Sequence, residues 1–223
     1  MRNAALLVFT VLLAIVSIDA APRAFAVENG TGLEFVHVVP QTVTYLGKKA
    51  LRLVETPNAV NGTSFALVND TMFTDGTIEA DVAGKPAGGS DAAARGFVGL
   101  TLRATPHGAA FDCFYIRPTN GRADDQLRRN HSTQYTSEPD FPWNKLRAEA
   151  PGVYESYVDL ETGAWTHLKI EVKGTRGRLF VNGASQPALI VNDLKRGVTS
   201  GQVGLWIGAG TEGYFRNLTI TNN

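Results

Sequence analysis

The chain has 223 residues, of which 21 are basic and 21 acidic, and its formal net charge at pH 7 is zero. This balance argues against a nucleic-acid backbone or an anionic membrane surface as the main partner, because both are bound through an excess of Lys and Arg. The single cysteine, Cys113, excludes an internal disulfide, so packing of apolar side chains has to stabilise the fold.

The first 26 residues are typical of a secretory signal peptide. Arg2 supplies a positive start, residues 4–18 are mostly apolar, and the small-x-small triplet Ala24–Ala26 predicts cleavage before Val27. The triplet Asp19–Ala21 is an alternative cleavage site. The apolar run is shorter than the about 20 residues that a membrane-spanning helix needs. We therefore predict a secreted or periplasmic protein with no membrane attachment after cleavage.

Cleavage leaves a mature domain of residues 27–223, with 19 basic and 20 acidic side chains. Its length is within the range of one all-β domain. The sequence contains no linker and no internal repeat, so we predict a single domain. No feature of the sequence indicates an oligomeric state.

Short apolar runs rich in β-branched residues follow the signal segment, and turns containing glycine separate them. Twelve segments are predicted as strands: Glu34–Val39, Ala50–Val54, Ser64–Leu67, Gly76–Val82, Gly96–Arg103, Ala110–Arg117, Tyr154–Leu160, Trp165–Lys173, Arg178–Val181, Ala188–Val191, Gly201–Ile207 and Glu212–Thr221. No run of ten or more residues has a helical period. About a dozen strands without helices between them predict an all-β, antiparallel two-sheet sandwich or jelly roll.

Residues 118–151 are predicted to form the one long irregular connection, and long ordered connections inside a compact domain are often functional. Sugars are bound by planar polar groups that pair with hydroxyls and by aromatic rings that stack on the pyranose. This region supplies both kinds of side chain. The predicted ligand-binding residues are Arg117, Asn120, Arg122, Arg128, Arg129, Gln134, Tyr135 and Trp143. The alternative is a solvated loop whose Arg and Asp side chains pair locally.

Adjacent residues in an extended segment point in opposite directions. At most one of Arg128 and Arg129 should therefore face a given pocket.

Two sets of acidic residues are candidates for glycosidase chemistry. Glu79 and Asp81 would share one strand face about 6.6 Å apart, near the spacing of an inverting pair, although a structural hydrogen bond is the alternative. Glu155, Tyr157 and Asp159 would also share a face, with the two carboxylates about 13 Å apart along the strand. A lyase would instead use a Tyr or His base beside a neutralising side chain, and the residues of those types are His131, Gln134, Tyr135 and Arg129. The candidate catalytic residues are Glu155, Tyr157 and His131.

Metal ligands are sparse. The four histidines are scattered without paired spacing and without cysteine partners, so zinc is not predicted. Asp124 and Asp125 offer oxygen atoms for calcium, although two adjacent Asp more often mark a loop. The glycine-containing segment 208–213 is predicted to be a hairpin turn between the last two strands, not a phosphate-binding loop.

Three segments resemble the concanavalin A-like and laminin-G-like jelly rolls: "FTDGTIEADV" (residues 73–82), "GAWTHLKIEVKGTRGRLFVNG" (163–183) and "GQVGLWIGAGTEGYFRNLTI" (201–220). The resemblance implies a jelly-roll fold, with calcium as a frequent structural ion and no other cofactor. The superfamily includes lectins, glucanases, polysaccharide lyases and adhesion modules. In length, secretion and closing strands the chain is most similar to a bacterial group, the 3-keto-disaccharide hydrolase-like proteins.

The strand around Glu155 departs from the glucanase members of that superfamily. Their alternating acidic pattern, E-x-D-x-E, has an acid at its centre, where this chain has Tyr157. We therefore do not expect a standard glucanase mechanism.

Three hypotheses remain from the sequence. The first is a secreted carbohydrate-binding jelly roll without turnover, which predicts no carboxylate with a raised pKa in its groove. The second is a glycoside-processing enzyme of the 3-keto-disaccharide hydrolase-like type or a polysaccharide lyase, which predicts two acid/base groups in one pocket. The third is an adhesion module that recognises protein through a flat apolar patch.

Overall fold

The strands of this chain alternate between buried and exposed side chains, and this alternation determines how they pack. A computed structural model describes residues 21–59 and 62–223. Fifteen strands are found there: β1 (Arg23–Phe25), β2 (Leu33–Val36), β3 (Val38–Tyr45), β4 (Lys48–Glu55), β5 (Ser64–Val68), β6 (Gly76–Pro86), β7 (Val98–Ala104), β8 (Phe111–Ile116), β9 (Thr133–Glu138), β10 (Glu155–Ser156), β11 (Thr166–Lys173), β12 (Arg176–Val181), β13 (Leu189–Val191), β14 (Gln202–Ile207) and β15 (Thr211–Asn222). The helices are α1 (Pro118–Gly121), α2 (Gln126–Asn130) and α3 (Trp143–Glu149), with 3-10 turns at Val27–Asn29 and Pro106–Gly108.

The strands form two antiparallel sheets. The first sheet has the order β13-β12-β11-β6-β15-β4-β3, and β1 pairs with the part of β15 that extends beyond β4. The second sheet has the order β10-β9-β8-β7-β14-β5-β2. Strands that are neighbours in a sheet are often distant in the sequence, as β6 and β15 are, which is the connectivity of a jelly roll.

The core lies between the two sheets. In β11, Leu168, Ile170 and Val172 are buried, whereas the residues between them are partly exposed. Val98 and Leu100 of β7 belong to the same core cluster from the opposite sheet. Burial of one such side chain contributes about 1.5–3 kcal/mol. The structure confirms the predicted all-β antiparallel sandwich.

The predicted hairpin between the last two strands is wrong. Strand β14 pairs with β5 and β7 in the second sheet, whereas β15 pairs with β4 and β6 in the first. Residues 208–210 therefore cross from one sheet to the other. Gly210 has a φ of 65°, and its amide donates to the Glu55 carboxylate at 2.9 Å. Turn residues are common to hairpins and crossings, so local sequence does not distinguish the two.

The long irregular connection predicted for residues 118–151 is also wrong. It contains α1, α2, α3 and strand β9, which pairs along its whole length with β8. Strand β9 has the polar sequence "TQYTSE", and five of its six residues are buried. It therefore lacks the apolar alternation from which strands are predicted. The helices, of four to seven residues, are too short to show a helical period.

The strand predicted at Tyr154–Leu160 is reduced to the two residues of β10. Glu155 is buried, whereas Tyr157 and Asp159 are exposed. Asp159 pairs with Arg122 at 2.9 Å on the protein surface. The shared strand face expected for Glu155, Tyr157 and Asp159 is therefore not formed, because the chain leaves the sheet after Ser156.

The strand predicted at Glu34–Val39 is two strands in different sheets. His37 separates β2 from β3 and has a φ of 52°, a left-handed conformation that redirects the chain.

Cys113 lies in β8 and is fully buried as a free thiol among apolar side chains. Burial raises the pKa of its thiol well above the ordinary value. Residues 1–20, which carry most of the predicted signal segment, lie outside the described residues. Strand β1 precedes the predicted cleavage site at Val27, and its Phe25 packs against the core. Among the described residues no helix is long and apolar enough to cross a membrane.

Candidate functional site

A cavity of about 770 Å³ opens on the face of the second sheet that points away from the core. Strands β8, β9 and β14 form its floor through Tyr115, Thr136 and Trp206. Its walls are the connection before β7, the segment from α1 to α3 and the crossing at residues 208–210. The cavity therefore combines an ordered sheet surface with loops, the usual construction of a ligand site.

Gly99 shapes the floor of the cavity. In the strand register Gly99 of β7 lies between Tyr115 of β8 and Trp206 of β14. A Cβ atom at position 99 would lie 2.3 Å from the carbonyl oxygen of Phe114 and 2.4 Å from Tyr115 Cβ. Glycine leaves this space free, and the Tyr115 and Trp206 rings meet across it with centroids 4.7 Å apart. The result is a continuous aromatic surface.

Trp143 stands at the cavity wall as the first residue of α3. It is 43% exposed, so its ring is available to a ligand. The Arg147 guanidinium, one helical turn later, lies over this ring at 4.8 Å. By contrast, Trp206 is 7% exposed, and its indole N–H already donates to the Gly62 carbonyl at 3.0 Å. Trp143 is therefore the aromatic residue best placed to stack on a sugar.

Glu155 lies behind the cavity wall with its side chain only 3% exposed. It accepts hydrogen bonds from Arg147 Nε at 3.0 Å and Arg147 Nη2 at 2.6 Å. His131 Nε2 is 3.2 Å from this carboxylate, and Arg117 Nη1 is 3.9 Å away. Glu155 thus positions three cavity residues and does not itself line the cavity.

His131 lines the cavity directly after α2. The pKa of the His131 imidazole lies below its ordinary value, mainly because the ring is buried. The positive charges of Arg147 and Arg117 lower this pKa further, whereas the negative charge of Glu155 raises it. The imidazole is therefore neutral at pH 7. Because the carboxylate of Glu155 can only accept, the proton is favoured on Nε2 and Nδ1 becomes the basic nitrogen.

Glu138 closes strand β9 and also lines the cavity. Burial raises the pKa of its carboxyl group above the ordinary value. Within residues 21–59 and 62–223, no basic side chain lies within ion-pair distance of it. Glu138 is therefore a carboxyl group that can hold a proton, and it lines the same cavity as His131.

Five of the predicted site residues line the cavity. They are Arg117, Asn120, Arg128, His131 and Trp143. Arg117 donates to the Tyr115 hydroxyl at 3.0 Å and to Gln134 Oε1 at 3.1 Å. Arg128 and Arg129 lie in helix α2, so the extended segment assumed for them is wrong, and only Arg128 lines the cavity.

The other predicted residues lie elsewhere. Gln134 is buried beneath the wall and donates to the backbone of Tyr135. Tyr135 is fully buried between the sheets, where its hydroxyl donates to Asp112 at 2.6 Å. Arg129 donates to the Tyr157 hydroxyl at 2.8 Å outside the cavity, and Arg122 forms exposed ion pairs.

Glu79 and Asp81 lie far from the cavity, on the outward face of the first sheet. The two ring nitrogens of His167 lie 3.1 Å from the Glu79 carboxylate and 3.0 Å from the Asp81 carboxylate, which is a structural hydrogen-bond network. Asp125 caps α2 by accepting from the Arg128 amide at 3.1 Å. In the described ranges no three His, Cys, Asp or Glu side chains are arranged to hold a metal ion.

Comparison with protein families gives one match. The family model described as the 3-keto-alpha-glucoside-1,2-lyase-like domain matches residues 25–221. The chain belongs to this family. The resemblance to the 3-keto-disaccharide hydrolase-like group is thereby confirmed. A comparison with curated protein sequences gave no match.

Solved structures with a fold similar to that of this family member include a carbohydrate-binding module, a domain of an arabinanase and a lectin. The carbohydrate-binding module CBM66 from Bacillus subtilis has 17% identity and a TM-score of 0.56, with 84% of this chain and 94% of that chain covered. Domain 4 of the extracellular arabinanase AbnA from Geobacillus stearothermophilus, solved with arabinotriose, has 15% identity and a TM-score of 0.52, with 92% of this chain and 94% of that chain covered. Peanut lectin has 11% identity and a TM-score of 0.52, with 91% of this chain and 97% of that chain covered. At these identities the likeness establishes the fold.

Sequence reasoning missed several cavity residues of this family member: Arg95, Phe97, Tyr115, Glu138, Arg147 and Trp206. Arg95 and Phe97 lie in the connection between β6 and β7, although Phe97 was predicted to belong to the strand Gly96–Arg103. Tyr115 and Trp206 come from strands 90 residues apart in the chain that are both neighbours of β7. Only the strand order brings them together, and neither residue has a local signal.

Proposed function

We propose that the protein binds a saccharide in this cavity and cleaves its glycosidic bond. The observation that supports the proposal is the pair His131 and Glu138. One is a base whose pKa is lowered and the other an acid whose pKa is raised, and both line one cavity. Groups whose environments move their pKa values in opposite directions are typical of acid/base catalysis.

The family description points to 1,2-elimination from a 3-keto glucoside. A ketone at C3 acidifies the C2–H bond. His131 Nδ1 would take the C2 proton, the electron pair would form the C1=C2 bond, and the C1–O bond would break. Glu138 would give its proton to the departing oxygen. One proton leaves carbon and one reaches oxygen, so the step needs no oxidant or reductant.

Arg117 has a supporting role in this proposal. Negative charge develops on the C3 oxygen as the C2 proton leaves. The Arg117 guanidinium lines the cavity and is fixed by Tyr115, Gln134 and the His131 carbonyl. A preorganised donor of this kind stabilises a developing oxyanion without reorganising during the reaction.

The test uses p-nitrophenyl 3-keto-α-glucoside, with the unoxidised glucoside as the comparison substrate. Nitrophenol release gives the rate, and proton NMR detects the C1=C2 product. We expect turnover of the keto substrate, and we expect His131→Asn to lower kcat by about 10²–10⁴-fold. Glu138→Gln should lower kcat by a similar factor with methyl 3-keto-α-glucoside, whose methoxide leaving group needs a proton, and far less with the nitrophenyl substrate, whose leaving group departs as the anion. Glu161→Gln is the control, because that carboxylate lies in an exposed ion pair. Full activity in both cavity variants would contradict the assignment.

Saccharide binding without turnover is the second candidate. The observation that favours it is Trp143, an aromatic ring exposed at the wall of a sheet-based cavity. Two of the similar structures are a carbohydrate-binding module and a domain bound to arabinotriose. This candidate predicts glycan binding that Trp143→Ala weakens, together with no product from any keto or unoxidised glycoside.

We also propose that the protein acts outside the cytoplasm. The N-terminal apolar run and the extracellular arabinanase among the similar structures support this location. Sequencing the N-terminus of the exported protein tests it. Because β1 pairs with β15, we expect cleavage at Asp19–Ala21, which retains β1, in preference to cleavage before Val27.

A further inference from the structure

Four arginines line the cavity. Arg117 and Arg147 lie within ion-pair distance of Glu155, whereas Arg95 and Arg128 have no such partner among the described residues. Arg95 lies in the connection between β6 and β7, and its Nη1 donates to the carbonyls of Ala92 at 2.5 Å and Ala94 at 3.1 Å. Arg128 lies in α2, where its backbone amide donates to Asp125 at 3.1 Å and its carbonyl accepts from the His131 amide at 3.0 Å, and its guanidinium has no hydrogen-bond partner among the described residues. Throughout the described part of the chain, no acceptor is found for the buried Nε of Arg128.

Neither guanidinium forms an ion pair. In the ranges that the structure describes, no carboxylate lies within 4.0 Å of Arg95 or Arg128, whereas Arg147 is held by Glu155 at 2.6 Å. Asp91, the acidic residue closest in sequence to Arg95, accepts the Ala93 amide at 2.6 Å. Burial lowers the pKa of Arg95, and the charges of Arg128 and Arg117 lower it further. The guanidinium groups are therefore close enough to repel one another.

The excess of positive charge is local, because the whole chain is neutral. Four arginines and two carboxyl groups, Asp91 and Glu138, line the cavity. Partly buried cations without counter-charges are costly, and an anion that binds between them removes this cost. Guanidinium groups pair with carboxylate and sulfate oxygens through two parallel hydrogen bonds.

We propose that the saccharide bound in this cavity carries an oxyanion, and that Arg95 and Arg128 bind it. The substrate class is an acidic sugar, either a uronate or a sulfated sugar. Asn120 supports this subsite: it is 4% exposed, its amide donates to the His131 carbonyl at 3.1 Å, and no donor to its Oδ1 is found in the described residues. That oxygen is available to a hydroxyl of the same sugar. The inference rests on the proposed function only in placing a saccharide in the cavity.

The test is a calorimetric titration of the full protein with three unreactive probes: methyl α-glucuronide, methyl α-glucoside 6-sulfate and neutral methyl α-glucoside. We expect at least one acidic probe to bind about tenfold or more tightly than the neutral one, as charge-assisted pairing predicts. Raising the salt concentration should weaken the acidic probe only. The carboxylate and sulfate probes show which oxyanion the subsite prefers.

Arg128→Gln and Arg95→Gln should abolish the preference for the acidic probe. Arg129→Gln is the matched control, because Arg129 is the neighbouring residue and packs on Tyr157 outside the cavity. Thermal unfolding without ligand provides a second measurement. If Arg128 is there to bind an anion, Arg128→Gln should leave Tm unchanged or raise it, because a repulsive charge is removed. A lowered Tm with unchanged probe affinities would assign Arg128 a structural role and overturn the proposal.

The remaining outcomes separate this inference from the proposed function. If the neutral probe binds as tightly as the acidic probes, the oxyanion subsite is wrong, while the elimination assay still stands. If no probe binds and the keto glucoside is still turned over, the inference alone is overturned. If the acidic probe binds and no glycoside reacts, the subsite stands and the catalytic proposal fails.

Discussion

The two residues proposed to move protons, His131 and Glu138, have environments that shift their pKa values towards each other. Burial raises the pKa of Glu138 from its ordinary 4.5 and lowers that of His131 from its ordinary 6.5. Elimination needs neutral His131 and protonated Glu138 in the same molecule. Narrowing the interval between the two values increases the fraction of molecules that hold both forms.

The pH dependence of kcat/KM should therefore be bell-shaped, with its maximum in mildly acidic solution. Activity rises with pH as His131 loses its proton, at a pH below 6.5, and falls as Glu138 loses its proton, at a pH above 4.5. The measurement is the rate with the keto substrate between about pH 4 and pH 8. A profile that still rises above pH 7 would contradict protonated Glu138 as the acid.

At the residue scale, the residues predicted from the sequence and the residues that line the cavity overlap in part. Arg117, Asn120 and Arg128 were identified because polar and aromatic side chains are concentrated after β8. Glu138 was missed because an isolated Glu has no motif, and its raised pKa results from burial that only the folded chain creates. Glu155 was identified as catalytic from its spacing, but the structure places it behind the wall as the partner of Arg147.

At the scale of elements, the floor of the cavity depends on one glycine in β7. A side chain at Gly99 would collide with the carbonyl of Phe114 and with Tyr115. We expect Gly99→Ala to lower the free energy of unfolding by about 1–3 kcal/mol, the usual cost of overpacking. It should also displace Tyr115 and weaken saccharide binding. Urea unfolding and calorimetry measure the two effects.

Gly88→Ala is the matched control. It lies in the connection after β6, has no atom within 4 Å of an added Cβ, and has no positive φ. We expect it to leave both stability and binding unchanged. If Gly99→Ala behaves like this control, the backbone around β7 is adaptable and the floor does not depend on glycine.

Strands were predictable from the sequence where one face of the strand carries apolar side chains and the other face carries polar ones. Strand β11 was predicted within one residue of its observed bounds because Leu168, Ile170 and Val172 alternate with charged side chains. Strand β9 could not be predicted, because its outward residues Thr136 and Glu138 face a polar cavity and no alternation in hydrophobicity results. Its pairing with β8 is a tertiary effect that local sequence does not encode.

At the scale of the whole molecule, the stability of the sandwich depends on side-chain packing between two sheets without a disulfide. The only thiol, Cys113, is fully buried, and its pKa is raised. We expect Tm to be the same with and without a reducing agent, because no disulfide is present to be reduced. Cys113 should react with a thiol reagent only after unfolding. Rapid modification of the native protein would show that the second sheet opens locally.

The net charge of the chain is zero, but its positive and negative side chains are unevenly distributed over the molecule. Ion pairs on the surface, such as Arg122 with Asp159, neutralise each other, whereas positive charge accumulates in the cavity. The neutral composition argues against a polyanionic partner for the whole surface, but it gives no information about the charge of one concave site. The fold concentrates these charges by bringing together the connection before β7 and the helix α2.

The positions of the tryptophans give the protein an internal optical reporter. Trp143 and Trp206 line the cavity, whereas Trp165 packs with Tyr214 on the outward face of the first sheet. A ligand that enters the cavity displaces water from Trp143 and changes the emission of that indole, while Trp165 remains as a constant background. Intrinsic fluorescence can therefore follow occupancy of the site in solution, without a label and for ligands that have no chromophore.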